Sequence, residues 1–185
     1  MKRFALRRFR ASARRFARAE RGAVTIPFVL FVPVFMVFIL SSMELGFVMM
    51  RHVMLERALD MTVRDLRLGR VANPTHDAIL ARLCGYSAFL GDCEDTVLLE
   101  LRPIAKNSWT PFDTGPTCVD RDAPVQPVTE FAAGGSDELM LVRACAKVKP
   151  LMPTTGLGLH ITTDGSGDYA LIASTAFVNE PRPGT

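Results

Sequence analysis

The stretch AVTIPFVLFVPVFMVFILSSM, residues 23–43, holds 21 residues and no charged side chain. Coiled as a helix it extends about 31 Å, the thickness of the hydrocarbon core of a bilayer. Pro27 and Pro33 interrupt it, but a membrane-spanning helix tolerates proline better than a soluble one, because neighbouring groups re-satisfy the freed backbone. A buried helix of a soluble protein seldom runs so long without a charge. The reading of this segment is a transmembrane helix, and the rest of the chain is organised around it.

On its N-terminal side, residues 1–22 carry nine basic residues against one acidic, a net +8; the remainder, with 13 basic and 18 acidic residues, carries −5 within the chain's overall +3. Lys and Arg are retained in the cytoplasm, which places the arm inside and everything after Met43 outside. A cleaved secretory signal is the nearest rival. The apolar run exceeds the ~7–15 residues of a signal core, and Ser41-Ser42-Met43 makes a poor cleavage site. Arg7-Arg8 and Arg14-Arg15 lack the context of a twin-arginine signal. Arginines beside Phe4, Phe9 and Phe16 suit base stacking in principle. The spacing of Arg3, Arg7, Arg10 and Arg14 fits one face of an amphipathic helix on anionic lipid better. The partner expected for the arm is membrane lipid, with no nucleic acid.

All four cysteines, Cys84, Cys93, Cys118 and Cys145, follow the span. No Cys-x-x-Cys and no zinc-like His spacing accompanies them, so an oxidising compartment and two disulfides are expected. Four cysteines allow three connectivities; the favoured one joins Cys84 to Cys93 as a short clip and Cys118 to Cys145 as a loop-to-strand tie.

Beyond the span the helix continues. Phe47, Val48, Leu55, Leu59, Val63 and Leu66 recur every three or four residues, and the pattern ends at Gly69 and Asn73-Pro74, predicting one helix over roughly 23–68. Thr75 caps a second helix whose inner face is Ile79, Leu80, Leu83 and Cys84. Strands are expected at Thr96–Leu101, Glu138–Val148 and Tyr169–Val178. In the second, Met140, Val142, Ala144, Ala146 and Val148 face the core. The Pro- and Gly-rich stretch 102–136 reads as a long loop tied by Cys118, with a helical turn at Val128–Ala132. The fold class is therefore α+β: a long N-terminal transmembrane helix with a polar extension, followed by a small antiparallel-sheet periplasmic domain with disulfides. The organisation is arm 1–22, span 23–43, extension 44–69 and periplasmic domain 70–185.

At this point the order of features resembles the TadE/TadF-like proteins of the tight-adherence system, which assembles type IVb (Flp) pili. The residues that carry the resemblance are Phe16-Ala-Arg-Ala-Glu20-Arg21-Gly22-Ala23-Val24-Thr25, then Met43-Glu44-Leu45-Gly46-Phe47 and Arg51. The ending Ala176-Phe177-Val178-Asn179-Glu180-Pro181 is similar to the Asn-Glu-Pro close of that family. The resemblance implies a pilin-like minor component or assembly factor that resides in a bacterial inner membrane and supports adhesion. It implies as partners other Tad components, namely pilin-like proteins and an inner-membrane assembly platform. In many members a Gly followed five residues later by Glu marks prepilin-peptidase cleavage. Here Gly22 precedes Ala23 and is followed at the fifth position by Pro27, so the mature chain is expected to keep its arm.

No catalytic signature competes with this. His52, His76 and His160 are scattered, and Gly156-Leu-Gly158-Leu lacks the third glycine and the strand–turn–helix setting of a dinucleotide site. Asp164-Gly-Ser166-Gly-Asp168 opens like a calcium loop, yet Thr175 stands where the bidentate Glu belongs, so a hairpin turn is the expectation. No cofactor and no enzymatic activity are expected; the rival reading, a membrane-tethered periplasmic enzyme or ligand-binding module, rests on the long loop alone. One charge draws interest. Glu44 sits about 31 Å from Ala23, at the periplasmic edge, on the stripe that carries Val48, Leu55 and Leu59, with Arg51 near it. As a candidate assembly contact it would pair with a basic residue of a neighbouring protein; the plainer alternative is a charge that reaches water at the interface.

Overall fold

The computed structural model describes residues 25–71, 73–88, 90–104, 117–120, 127 and 129–180. Residues 1–24, most of the 102–136 loop and residues 181–185 lie outside the described residues. Helix α1 runs Thr25–Arg67, 43 residues or about 65 Å. It is one helix with two environments. As far as Ile39 it is apolar and largely exposed, whereas its second half buries Leu55, Ala58, Leu59, Thr62, Val63 and Leu66. Their spacing is the single stripe of an amphipathic helix, so one continuous backbone passes from an all-apolar shaft into the core of a domain. The extension does not merely project: it is the domain's central helix.

Gly69 ends α1 with a left-handed φ of 64°, a conformation that favours glycine. Helix α2 (His76–Tyr86) begins at Thr75, whose hydroxyl accepts from the Ala78 N–H at 3.3 Å, and buries Ile79, Leu80 and Leu83. A one-turn helix α3 (Cys93–Thr96) then leads into strand β1 (Val97–Ile104), which runs three residues further than the pattern predicts. Strands β2 (Leu139–Val148) and β3 (Tyr169–Val178) complete an antiparallel sheet in the order β1-β2-β3. In this register Leu99 opposes Ala144 and Ala144 opposes Ala173. Leu99, Leu101, Met140, Val142, Ala144, Leu171 and Phe177 lie in one core cluster with the stripe of α1 and the inner face of α2.

The helical turn expected at Val128–Ala132 does not form over its described residues. Phe131 instead makes a parallel bridge to Leu101, with Leu101 N–H donating to Glu130 C=O at 3.0 Å and Ala132 N–H to Leu101 C=O at 2.8 Å. The reason is the open edge of β1: its unpaired backbone groups take the passing chain as a short extra strand. The outer face of β2 is closed by chemistry of a different kind. Arg143 Nε donates to Glu100 Oε2 at 2.6 Å across the β1–β2 pair, and Cys145 is bonded to Cys118. Hence Arg143 and Cys145 are buried although they alternate away from the core.

Candidate functional site

Two features set this molecule apart from a small soluble α+β domain: a bare apolar shaft and the joint that holds it to the domain. Within α1 an 18-residue window reaches a mean hydropathy of 2.4 with none of it buried. Phe28, Phe31, Phe35 and Phe38 all stand exposed, an arrangement that water disfavours and a bilayer accommodates. Pro33 lies inside this stretch and removes one backbone bond. Near its end Ser41 and Ser42 turn their hydroxyls back onto Val37 C=O (2.7 Å) and Phe38 C=O (2.8 Å). Such back-bonding hides a hydroxyl in apolar surroundings. Among the expected processing residues, Pro27 falls in the first described turn of α1, and Gly22 and Ala23 lie outside the described residues.

The joint is made by the connection between β2 and β3, which folds back along α1 instead of turning directly. Glu44 is 1 % exposed. Its Oε1 accepts the Leu151 N–H at 2.9 Å and its Oε2 the Met152 N–H at 3.0 Å. Arg51 Nη1 donates to Lys149 C=O at 3.0 Å and to the Tyr169 hydroxyl at 3.2 Å. One turn nearer the N-terminus, Ser41 Oγ accepts the Leu157 N–H at 3.2 Å. Glu44 and Arg51 thus belong together, as their proximity on the helix suggests. Within the chain both Glu44 oxygens accept from its own backbone, and the carboxylate is shielded from solvent.

Glycines make the close approach workable. Gly156 has φ 53°, and a Cβ there would run into Ser41 Oγ; a Cβ on Gly158 would run into Met152 C=O. The Gly156-Leu-Gly158-Leu pattern is therefore a packing device, and it forms a single 3-10 turn, Gly156–Leu159.

A second set of polar ties holds the far end of α1. Asp65, buried, accepts from Tyr86 OH at 2.6 Å and from Arg70 Nη1 at 3.0 Å, with Arg82 Nη1 at 3.6 Å. The Tyr86 hydroxyl, with Arg70 and Arg82 behind it, holds the Asp65 carboxyl below the usual carboxylate range, against the opposing effect of its burial. In return the carboxylate raises the Tyr86 phenol. Just past β3, Asn179 donates through Nδ2 to Ala133 C=O (3.0 Å) and Gly135 C=O (3.1 Å), and Glu180 pairs with Arg67 at 3.2 Å. The described part of the Asn-Glu-Pro ending is thus a latch that closes the last strand over the start of β2 and the end of α1.

Asp164 completes the picture of the β3 entry. Its Oδ1 accepts the N–H groups of Ser166 (3.1 Å) and Asp168 (2.9 Å), and its Oδ2 takes Lys147 Nζ at 2.6 Å. Lys147 first, and then the Asp168 N–H and the Ser166 hydroxyl, depress its carboxyl strongly against the opposing effect of burial. Its oxygens are committed to a side-chain-stabilised turn. Among the described residues no three His, Cys, Asp or Glu side chains converge in a possible metal centre. His52 pairs with Glu56 at 3.3 Å, and His76 pairs with Asp77 at 3.0 Å and meets Phe131 edge-on at 5.6 Å. The two disulfides, Cys84–Cys93 and Cys118–Cys145, leave no free thiol.

Residues 22–64 match the family model for TadE-like protein. The TadE-like segment begins at the glycine that ends the basic arm, takes in the whole apolar run with Ser41, Glu44 and Arg51, and stops one turn short of the end of α1. The sheet, α2 and both disulfides follow it. Neither the curated proteins nor the solved structures contain a match to this chain.

Proposed function

We propose that this chain is a non-enzymatic, pilin-like or assembly component of a Tad-type pilus, anchored in a bacterial inner membrane and supporting pilus biogenesis and adhesion. The observation that carries the reading is the coincidence of the TadE-like match with one helix that begins as a bare apolar shaft and ends as domain core. In this reading residues 1–22 lie in the cytoplasm against anionic lipid and residues 23–43 cross the bilayer. Residues 44–69 rise from it, and 70–185 form the periplasmic domain, an orientation supported by the +8 arm and by the disulfides. Its partners are pilin-like proteins and the inner-membrane assembly platform. A stiff helix locked into a disulfide-bonded domain suits a load-bearing or positioning role, since the Glu44 and Arg51 ties stop the domain from swinging about the membrane exit.

The test is genetic. Deleting the gene should remove or sharply reduce surface pili and adhesion, and an ectopic copy should restore both. Normal piliation and adhesion in the deletion strain would contradict the proposal.

A further inference from the structure

The β2–β3 connection carries a surface that the shaft alone does not explain. From Pro150 to Thr163 the sequence is PLMPTTGLGLHITT, 14 residues without Asp, Glu, Lys or Arg, bounded by Lys149 and Asp164. Exposed connections are ordinarily polar and charged. Here Leu159 is 63 % exposed and Leu151 is 47 % exposed. Its position along α1 gives this surface a meaning. The Leu157 N–H is bonded to Ser41, and Gly156 lies against Ser41 and Val37. Ser41 lies 18 residues beyond Ala23, about 27 Å along the helix, and hence inside the ~30 Å hydrocarbon thickness. Tilt of the shaft, ~20° on average for such helices, carries Ser41 deeper still. Whatever surrounds the shaft at Val37–Ser41 also surrounds this turn.

We infer that Pro150–Ile161 is a membrane foot: a loop of the exported domain seated in the headgroup–acyl boundary, with Leu151 and Leu159 inserted among lipid chains. The inference rests on the membrane reading of the shaft. The occupant is lipid rather than protein because the foot's apolar surface continues that of the shaft, where Val37, Phe38 and Met43 are exposed at the same level. Three backbone N–H groups at and beside the turn find their partners within the protein. Leu157 N–H is satisfied by Ser41, His160 N–H by Leu157 C=O at 2.9 Å and Ile161 N–H by the same oxygen at 3.0 Å, as insertion at that depth requires. Two attachments, shaft and foot, then fix both the height and the rotation of the domain on the membrane. One helix alone fixes neither.

The experiment uses the full chain in phosphatidylethanolamine–phosphatidylglycerol vesicles. A thiol-specific spin label is placed singly at Leu159→Cys, Phe31→Cys or Asp60→Cys, since the native cysteines are bonded. Collision with oxygen, which concentrates in lipid, is compared with collision with a water-soluble nickel chelate. The Leu159 label should show oxygen access raised and nickel access lowered relative to the Asp60 label, approaching the Phe31 label. A Leu159 label that matches the Asp60 label while the Phe31 label reports lipid would overturn the foot and leave the shaft intact. A Leu159 label shielded from both reagents would show a protein covering and overturn the lipid assignment. A water-exposed Phe31 label would overturn the span and the foot together.

Discussion

Glu44→Gln is the sharpest perturbation of the joint. The wild-type carboxylate offers two acceptor oxygens to two backbone donors, Leu151 N–H and Met152 N–H, in a setting where the side chain is almost wholly buried. Glutamine has nearly the same shape but only one acceptor. Its amide nitrogen must face one of the two N–H groups, donor against donor, and leave that group unpaired. Orphaning a buried donor costs about 1–3 kcal/mol. The cost falls on the loop, which can lift from the helix without unfolding the sheet, so it appears as a local opening. At 1.4 kcal/mol per tenfold, amide exchange at Leu151 and Met152 should accelerate about 5- to 150-fold. Peptides from Met140–Val148 should keep wild-type protection, because their bonds lie in the sheet ladder. Hydrogen exchange with mass-spectrometric readout on the full chain in detergent measures both regions in one experiment. Unchanged exchange at Leu151 and Met152 in the folded variant would refute the claim that Glu44 holds the loop.

Other expectations follow from the ties already described. Removing the Cys118–Cys145 bridge, which spans 27 residues, by double substitution to Ala should lower stability by about 3.5 kcal/mol, and removing Cys84–Cys93, which spans 9, by about 2.5; chemical denaturation checks the ranking, and equal stabilities would contradict it. Asp65, whose folded pKa is lowered chiefly by Tyr86 OH, contributes stability above the ordinary carboxylate range near ~4 that is lost as pH falls through its depressed value. Tyr86→Phe should therefore reduce stability at neutral pH and flatten the acid loss, which a pH series of denaturation curves reads. In the raised direction, the Tyr86 phenol should ionise above the ordinary ~10 in a Tyr169→Phe background followed by ultraviolet absorbance, the contribution of its bond to Asp65 being present below that range and lost as pH rises through the raised value. Intact mass should find the arm retained in the mature protein, whereas a species beginning at Ala23 would show that the peptidase accepts Pro27.

The elements that the sequence reveals best are those whose burial follows a period. Leu55, Leu59, Val63 and Leu66 mark the inner stripe of α1 because a helix can bury only one face. Met140, Val142, Ala144 and Ala146 mark the core face of β2 because strand side chains alternate. Thr75 and Gly69 mark helix ends through their own backbone chemistry. The joint was only half visible. Glu44 and Arg51 stand out as charges on an apolar stripe, but apart from the Tyr169 hydroxyl their partners are backbone N–H and C=O groups roughly a hundred residues away, and every residue carries such groups, so no spacing announces them. Phe131 on β1 was obscured for the same reason: an open strand edge recruits chain without regard to its side chains. Arg143 and Cys145 broke the simple alternation because a cross-strand ion pair and a disulfide bury the outer face by chemistry that hydrophobic period does not register. A usable signal was present for the loop, in the charge-free run Pro150–Thr163 with its two close glycines.

In the proposed topology the TadE-like helix crosses the membrane once and holds the disulfide-bonded domain on the outer side. Paired reporters fused after Thr185 test it most directly, one active only in the periplasm and one only in the cytoplasm. The periplasmic reporter should be active and the cytoplasmic one silent, because the +8 arm precedes the apolar span. Activity of the cytoplasmic reporter at that position would contradict it.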